Sequence, residues 1–226
     1  GMNELIETLR ESDLFKGFGN ADLSRLLAGT GYRVSAYSRD QVIALEGDDA
    51  SSVGIVLEGI IEVQKIYPSG RAIVISRLLR GDIFGEAIIF SRKKIYPATI
   101  VSSGSSRVLY LSEADILRLC ASNSKFLYNF MGILSNKILM LNEKLKSLSY
   151  QTIRQKIANY LAEEYKKQKN PKLKMPVSRR EMAEQFGIPR PSLSRELISM
   201  KHDGLIDFDR KTITILDMEA LEDLLL

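Results

Sequence analysis

Apolar positions change their spacing twice along these 226 residues, and each change marks a new kind of element. From residue 4 to 30, Leu5, Ile6 and Leu9, then Leu23, Leu26 and Leu27, recur at helical spacing on either side of a turn-like Lys16-Gly-Phe-Gly-Asn20. From Tyr32 to Leu111 the period drops to two. Val53, Ile55 and Leu57 alternate with their neighbours, as do Ile61 and Val63, while Ala72–Ile75, Thr99–Val101 and Val108–Leu111 are short strand-like runs. Glu58-Gly59 and Pro68-Ser-Gly70 supply turns between them. Many short strands punctuated by glycine predict an antiparallel sandwich or roll.

The second change comes at residue 124, where one long helix is predicted to 148. Leu127, Leu134, Leu141 and Leu148 recur every seven residues, and so do Met131, Ile138 and Leu145, offset by three. That is an a/d seam, which favours a two-helix coiled coil and hence a homodimer. A lone helix packing on its own domain also needs an apolar stripe, so that reading stands beside it.

A further helix is expected over Gln151–Lys166, carrying Ile153, Ile157, Tyr160 and Leu161, then a basic loop, Lys166–Lys174, with Pro171. Two short helices joined by a tight turn follow. Ser178 with Glu181 three residues on reads as a capping box, Ala183 lets another helix pass closely, and Gly187 suits a left-handed helix end. Pro191 fits the first position of the next helix, which leaves Arg190 extended before it. Leu193, Leu197 and Met200 then share one face, with Ser194, Arg195 and Ser199 on another. This is a helix-turn-helix whose second helix fits a DNA major groove. Gly204–Phe208 and Thr212–Ile215 alternate about Asp209-Arg-Lys211 and predict a hairpin, the wing of a winged helix.

Charge supports that reading through its distribution. The net charge is only +4, but Tyr150–His202 holds 12 Lys/Arg against 5 Asp/Glu, and from Asp203 onward the count is 2 against 7. Basic character therefore gathers around the helix-turn-helix, as phosphate binding requires. A hydrophobic content of 45% excludes general disorder, no apolar run approaches a membrane span, and a single cysteine, Cys120, excludes an internal disulfide framework. A cytoplasmic protein is expected.

Taken together, these parts resemble the Crp/Fnr family of bacterial transcription regulators over residues 14 to 215. The marks are Gly81-Asp-Ile-Phe-Gly-Glu86, the long connecting helix, and Arg190-Pro-Ser-Leu-Ser-Arg195. The resemblance implies an α+β protein with an N-terminal cyclic-nucleotide-binding-like β-roll sensor over 1–122, a dimerisation helix over 123–149 and a C-terminal winged helix-turn-helix over 150–226. It implies double-stranded DNA, a second copy of the chain and RNA polymerase as partners. By the same resemblance, Arg190, Ser194 and Arg195 lie where base edges are read, and Ser178, Arg179 and Ser192 where phosphates are held. Arginine clamps guanine O6 and N7 through two bonds, while hydroxyls and helix-end amides grip phosphates. One departure is Pro191, which stands where the family commonly carries glutamate and cannot accept a bond from cytosine.

The sensor departs further. The implied effector pocket comprises Gly85, Glu86, Tyr96, Pro97, Leu141 and Asn142. Cyclic-nucleotide binders of the family keep an Arg-Ser or Arg-Thr pair eleven and twelve residues after the cassette glycine, and those places hold Tyr96 and Pro97. Neither neutralises a phosphate. Leu141 and Asn142 stand at the places that meet the base, and Leu141 belongs to the seam. The expectation is an unknown small effector other than cyclic AMP. The alternative keeps a cyclic nucleotide held by Arg92, Lys93 or Lys94, in a run of charge that ordinarily lies in solvent. An iron–sulfur cluster is not expected from one cysteine, nor haem when the only histidine, His202, lies beside the reading helix. Cys120 reads as a small buried hydrophobe. Catalysis is not expected: Glu86 has no second carboxylate or histidine placed with it, and Gly81–Gly85 lacks the lysine of a phosphate loop. A ligand-binding module controlling a protein partner is the competing reading, but it gives no reason for the 177–197 motif or for the basic balance of residues 150–202 around it.

Overall fold

The computed structural model describes residues 1–226, which form two compact units, 1–138 and 139–226. The first opens with α1 (Met2–Arg10), a 3-10 turn (Asp13–Phe15) and α2 (Asn20–Ala28). Eight strands follow: β1 (Arg33–Tyr37), β2 (Val42–Ala44), β3 (Ser52–Glu58), β4 (Ile61–Ile66), β5 (Ala72–Leu78), β6 (Ile83–Phe84), β7 (Thr99–Ser102) and β8 (Ser106–Ser112). They make two four-stranded sheets, ordered β1-β8-β3-β6 and β2-β7-β4-β5, antiparallel throughout.

The central strand β3 shows why the alternation is only half of its pattern. Val53, Ile55 and Leu57 join Leu109 and Leu111 in packing against α1, α2 and the helix α3 (Glu113–Ser122). Val56 joins Val108, Tyr110, Phe84, Ile61 and Ile100 in a second core. A strand buried on both faces reads as a continuous apolar run. Strands β1, β2 and β6 were not anticipated, because β2 and β6 are only three and two residues long and β1 is mostly exposed.

The long helix α4 (Ser124–Leu148) has the bounds its heptads predict, and the boundary between the units falls inside it. Its first half serves its own unit: Phe126 and Phe130 are buried, and Ile133 and Leu134 pack on the same core. Leu134, a predicted seam position, is therefore partly covered within its own unit. From Ile138 onward the apolar positions are bare, with Leu141 54%, Leu145 65% and Leu148 78% exposed.

The second unit continues with α5 (Ile153–Gln168), β9 (Lys172–Lys174), α6 (Arg179–Phe186), α7 (Arg190–His202), β10 (Ile206–Phe208), β11 (Thr212–Ile215) and α8 (Met218–Asp223). Thr152 caps α5 reciprocally with Gln155. The expected basic loop at 166–174 is corrected: helix continues to Gln168, and Lys172–Lys174 is a strand completing a sheet ordered β10-β11-β9. Leu173 faces Ile213 in that register, so burial of one leucine fixes a strand that its lysines hide from a charge-based reading. The core beneath gathers Ile157, Leu161, Met182, Leu193, Leu197, Met200, Ile206 and Ile213.

Candidate DNA interface and effector pocket

In the second unit, local chemistry sets the angle between α6 and α7. The Ser178 hydroxyl accepts a bond from the Glu181 backbone N–H at 3.1 Å and caps α6. The Glu181 carboxylate meets the Ser178 hydroxyl itself at 3.2 Å. Gly187 then closes α6 at φ 67° and ψ 33°, a left-handed conformation that glycine adopts without a Cβ penalty. The start of α7 corrects the sequence reading by one residue: Pro189 is the N-cap, Arg190 is already helical, and Pro191 lies inside the first turn. Proline is tolerated there because first-turn N–H groups have no intrahelical acceptor to lose.

Leu193, Leu197 and Met200 anchor α7 in the core, leaving Arg190 and Arg195 exposed and Ser194 half-buried. The Arg195 guanidinium donates to the Ser192 hydroxyl at 3.3 Å, so those two predicted contacts are neighbours. Arg179 is placed differently from a free phosphate ligand. Its guanidinium donates to the Asp209 carbonyl at 2.9 Å and lies 5.9 Å from the centre of the Phe208 ring, and burial lowers its pKa. It holds the wing. At the wing tip the Asp209 carboxylate accepts from the Lys211 and Thr212 backbone N–H groups, both at 2.8 Å, which leaves Arg210 and Lys211 exposed.

Sequence reasoning missed Arg154. From α5 its Nε reaches Glu196 at 2.6 Å, one terminal nitrogen reaches Asp203 at 2.8 Å, and the other reaches the Ser199 hydroxyl at 2.8 Å. The available signal was the 196, 199, 203 spacing, which places three acceptors on one face of α7.

In the first unit, Gly85 has φ +85°, and a Cβ there would come within 2.7 Å of the Ser52 carbonyl oxygen, so only glycine fits. Glu86 is 2% exposed, and its Oε1 is in ionic contact with the ammonium of Lys137, from α4, yet makes no hydrogen bond. Burial lowers the Lys137 pKa while nearby Asp82 opposes that shift. Lys137 lies off the heptad seam, which gave no reason to single it out. Tyr96 is buried beside a cavity of about 160 Å³ that Arg33, Tyr37, Asp48 and Tyr110 also line. Tyr37 and Tyr110 share a hydroxyl bond of 2.6 Å, and the Arg33 guanidinium lies 4.2 Å from the centre of the Tyr110 ring. Burial raises the pKa of both Tyr96 and Tyr110, so these phenols are neutral near pH 7.

Pro97 is exposed, as are Arg92, Lys93 and Lys94; none of the four lines this cavity, and Lys94 pairs with Glu113 at 2.9 Å. Leu141 and Asn142 are exposed and belong to the other compact unit. Cys120 is partly buried against the first core, and burial raises its thiol pKa. The imidazole of His202 is 89% exposed.

A cyclic nucleotide-binding domain profile matches residues 34–123, and a Crp-like helix-turn-helix domain profile matches residues 155–224. The chain is 25% identical over 190 residues to the transcriptional regulator LdrP of Thermus thermophilus, covering 82% of this chain and 93% of that protein. It is 23% identical over 192 residues to a CRP-like cAMP-activated global transcriptional regulator of Mycobacterium tuberculosis, covering 82% and 84%. Its fold is similar to the crystal structure of the Thermus thermophilus catabolite activator protein, with a TM-score of 0.56 and 20% identity over 95% of this chain and 98% of that one. With a cyclic nucleotide-binding β domain ahead of a Crp-like helix-turn-helix DNA-binding domain, the chain belongs to the Crp/Fnr family of transcription regulators.

Proposed function

We propose that this protein is a homodimeric, sequence-specific DNA-binding regulator of the bacterial cytoplasm, working with RNA polymerase as partner and not as an enzyme. Residues 1–122 are its sensor, 123–149 its dimerisation helix and 150–226 its DNA-binding domain. The observation that carries the reading is α7: a helix anchored by three buried apolar side chains that leaves Arg190 and Arg195 exposed and unpaired with carboxylates. Arg190, Ser194 and Arg195 read base edges, and Ser178, Ser192 and the Arg179-held wing set the backbone register.

The effector is a small molecule other than cyclic AMP. Relatives named as cyclic-AMP-activated do not transfer that ligand, because a neutral Tyr96 and an exposed Pro97 stand where a cation and a hydroxyl are required. No helix here is long and apolar enough to cross a membrane.

Selection from random duplexes with the full-length protein tests the reading. The expected product is a pair of inverted half-sites whose centres lie about one helical turn, ~34 Å, apart. Recovery of sequences no different from the starting pool would overturn it.

A further inference from the structure

The three bonds of Arg154 have a geometry that ordinary helix packing does not need. Glu196, Ser199 and Asp203 are spaced by three and four, so they line one face of the second half of α7 and its C-cap. One side chain, 26% exposed, reaches all three through its planar guanidinium from the first turn of α5. The core of the second unit already holds α5 and α7 together through Ile157, Leu161, Leu193 and Leu197, and apolar contacts are non-directional. They resist separation more than they resist rotation or sliding of one helix on the other. A rigid fork bonded at three places along a helix fixes both. It also has an electrostatic consequence. Glu196 directly follows Arg195, so without a cation beside it a carboxylate would stand next to the side chain that approaches the polyanion.

We propose that Arg154 is a positioning residue for DNA reading: it sets the rotation and register of α7, so that Arg190 and Arg195 meet base edges together, and it pairs the two carboxylates that helix carries. The inference rests on α7 being the reading helix. Wild-type discrimination between the selected site and random duplex tests that premise separately, since its absence would remove the premise and not the clamp.

The test uses the full-length protein and two duplexes, the selected site and a scrambled sequence, over a range of salt concentrations, with circular dichroism and thermal unfolding on the same samples. Arg154→Met keeps the stem and removes charge and bonds. It is expected to lose roughly tenfold to a hundredfold on the selected site and about threefold or less on the scrambled one, because base readout demands alignment and phosphate contact tolerates rotation. Arg154→Lys retains a charge but not the fork, so it is expected to recover binding to the scrambled duplex without recovering discrimination. Adding Glu196→Gln and Asp203→Asn to Arg154→Met removes the uncovered carboxylates. Discrimination restored in that triple variant would make the effect one of charge alone and overturn the positioning role. Equal proportional losses on both duplexes, or full discrimination by Arg154→Lys, would overturn it as well. If Arg154→Met fails to fold, Ser199→Ala removes one of the three bonds without uncovering a charge; a discrimination loss of about threefold is expected, and unchanged discrimination counts against the proposal.

Discussion

At the scale of single residues, two arginines that look alike in the sequence have different surroundings. Arg195 is exposed and hydrogen-bonds to Ser192, whereas Arg179 is half-buried, bonded to the Asp209 carbonyl and packed by the Phe208 ring. Arg195→Ala is therefore expected to cost about 1–3 kcal/mol on the selected site and to relax preference at one base pair. Arg179→Ala is expected to loosen the wing, since the Asp209 carbonyl loses its donor, and so to weaken binding to all sequences alike. Binding titrations on selected and random duplexes at several salt concentrations separate the two. Equal losses for both variants on both duplexes would show that the roles are not divided in this way. The sequence exposed the identity of these side chains but not their partners. Nothing local tells Arg179 from Arg180, yet one reaches the wing and the other pairs with Glu184 on its own helix. Arg154 and Lys137 were hidden for the same reason: their partners lie 42 or more positions away in the chain.

Whole elements were more legible, and the misses have physical causes. The bounds of α4 followed from its heptads, and α6 from its cap and its terminal glycine, because these signals are carried within the element itself. The strand β9 was invisible because three residues with one inward leucine have no period of their own and depend on β11 for hydrogen bonds. The heptad pattern on α4 conflated two uses that the structure separates. Leu134 supports the first core, while Leu141 and Leu145 lie bare on the protomer. We propose that a second copy of the same seam, which is self-complementary, covers this apolar helix face. Leu141→Glu with Leu145→Glu is the informative variant, since neither side chain contributes to the protomer's core. Like charges desolvated opposite each other cost several kcal/mol, comparable to a domain's whole margin. Sedimentation is expected to show a monomer with an unchanged circular dichroism spectrum, together with the loss of two-half-site binding. A dimer persisting in that variant would place the interface elsewhere.

For the whole molecule, the question is what the sensor contributes to DNA binding. A ligand changes that equilibrium only by as much as it binds one state of the protein better than the other. Gly85 keeps the conformation that permits close approach to the Ser52 carbonyl, and the Glu86 carboxylate contacts Lys137 from α4, but neither residue lines the cavity beside Tyr96. At the place where the family resemblance puts the cation for a cyclic phosphate stands Tyr96, a neutral phenol. The exposed lysines and arginine at 92–94 line no part of the cavity beside it, and Arg33, which does line it, lies against the Tyr110 ring. A phosphodiester that sheds water without a charge-assisted partner is penalised by several kcal/mol, and each 1.4 kcal/mol is about tenfold in affinity. Cyclic AMP and cyclic GMP are therefore expected to show no heat of binding below about millimolar concentration in isothermal titration of the full chain. They are also expected to change its affinity for the selected duplex by less than about twofold, a shift of under half a kcal/mol. Glu86→Gln removes the carboxylate in contact with the Lys137 ammonium and leaves Asp82 as the acid nearby, so a modest gain in phosphodiester binding is expected from that variant. A low-micromolar dissociation constant for cyclic AMP in the wild type would sink this account. It would instead assign the missing cation to Arg33, which lines the cavity, or to Arg92, Lys93 or Lys94 through movement of their loop, each then testable by its alanine variant in the same titration.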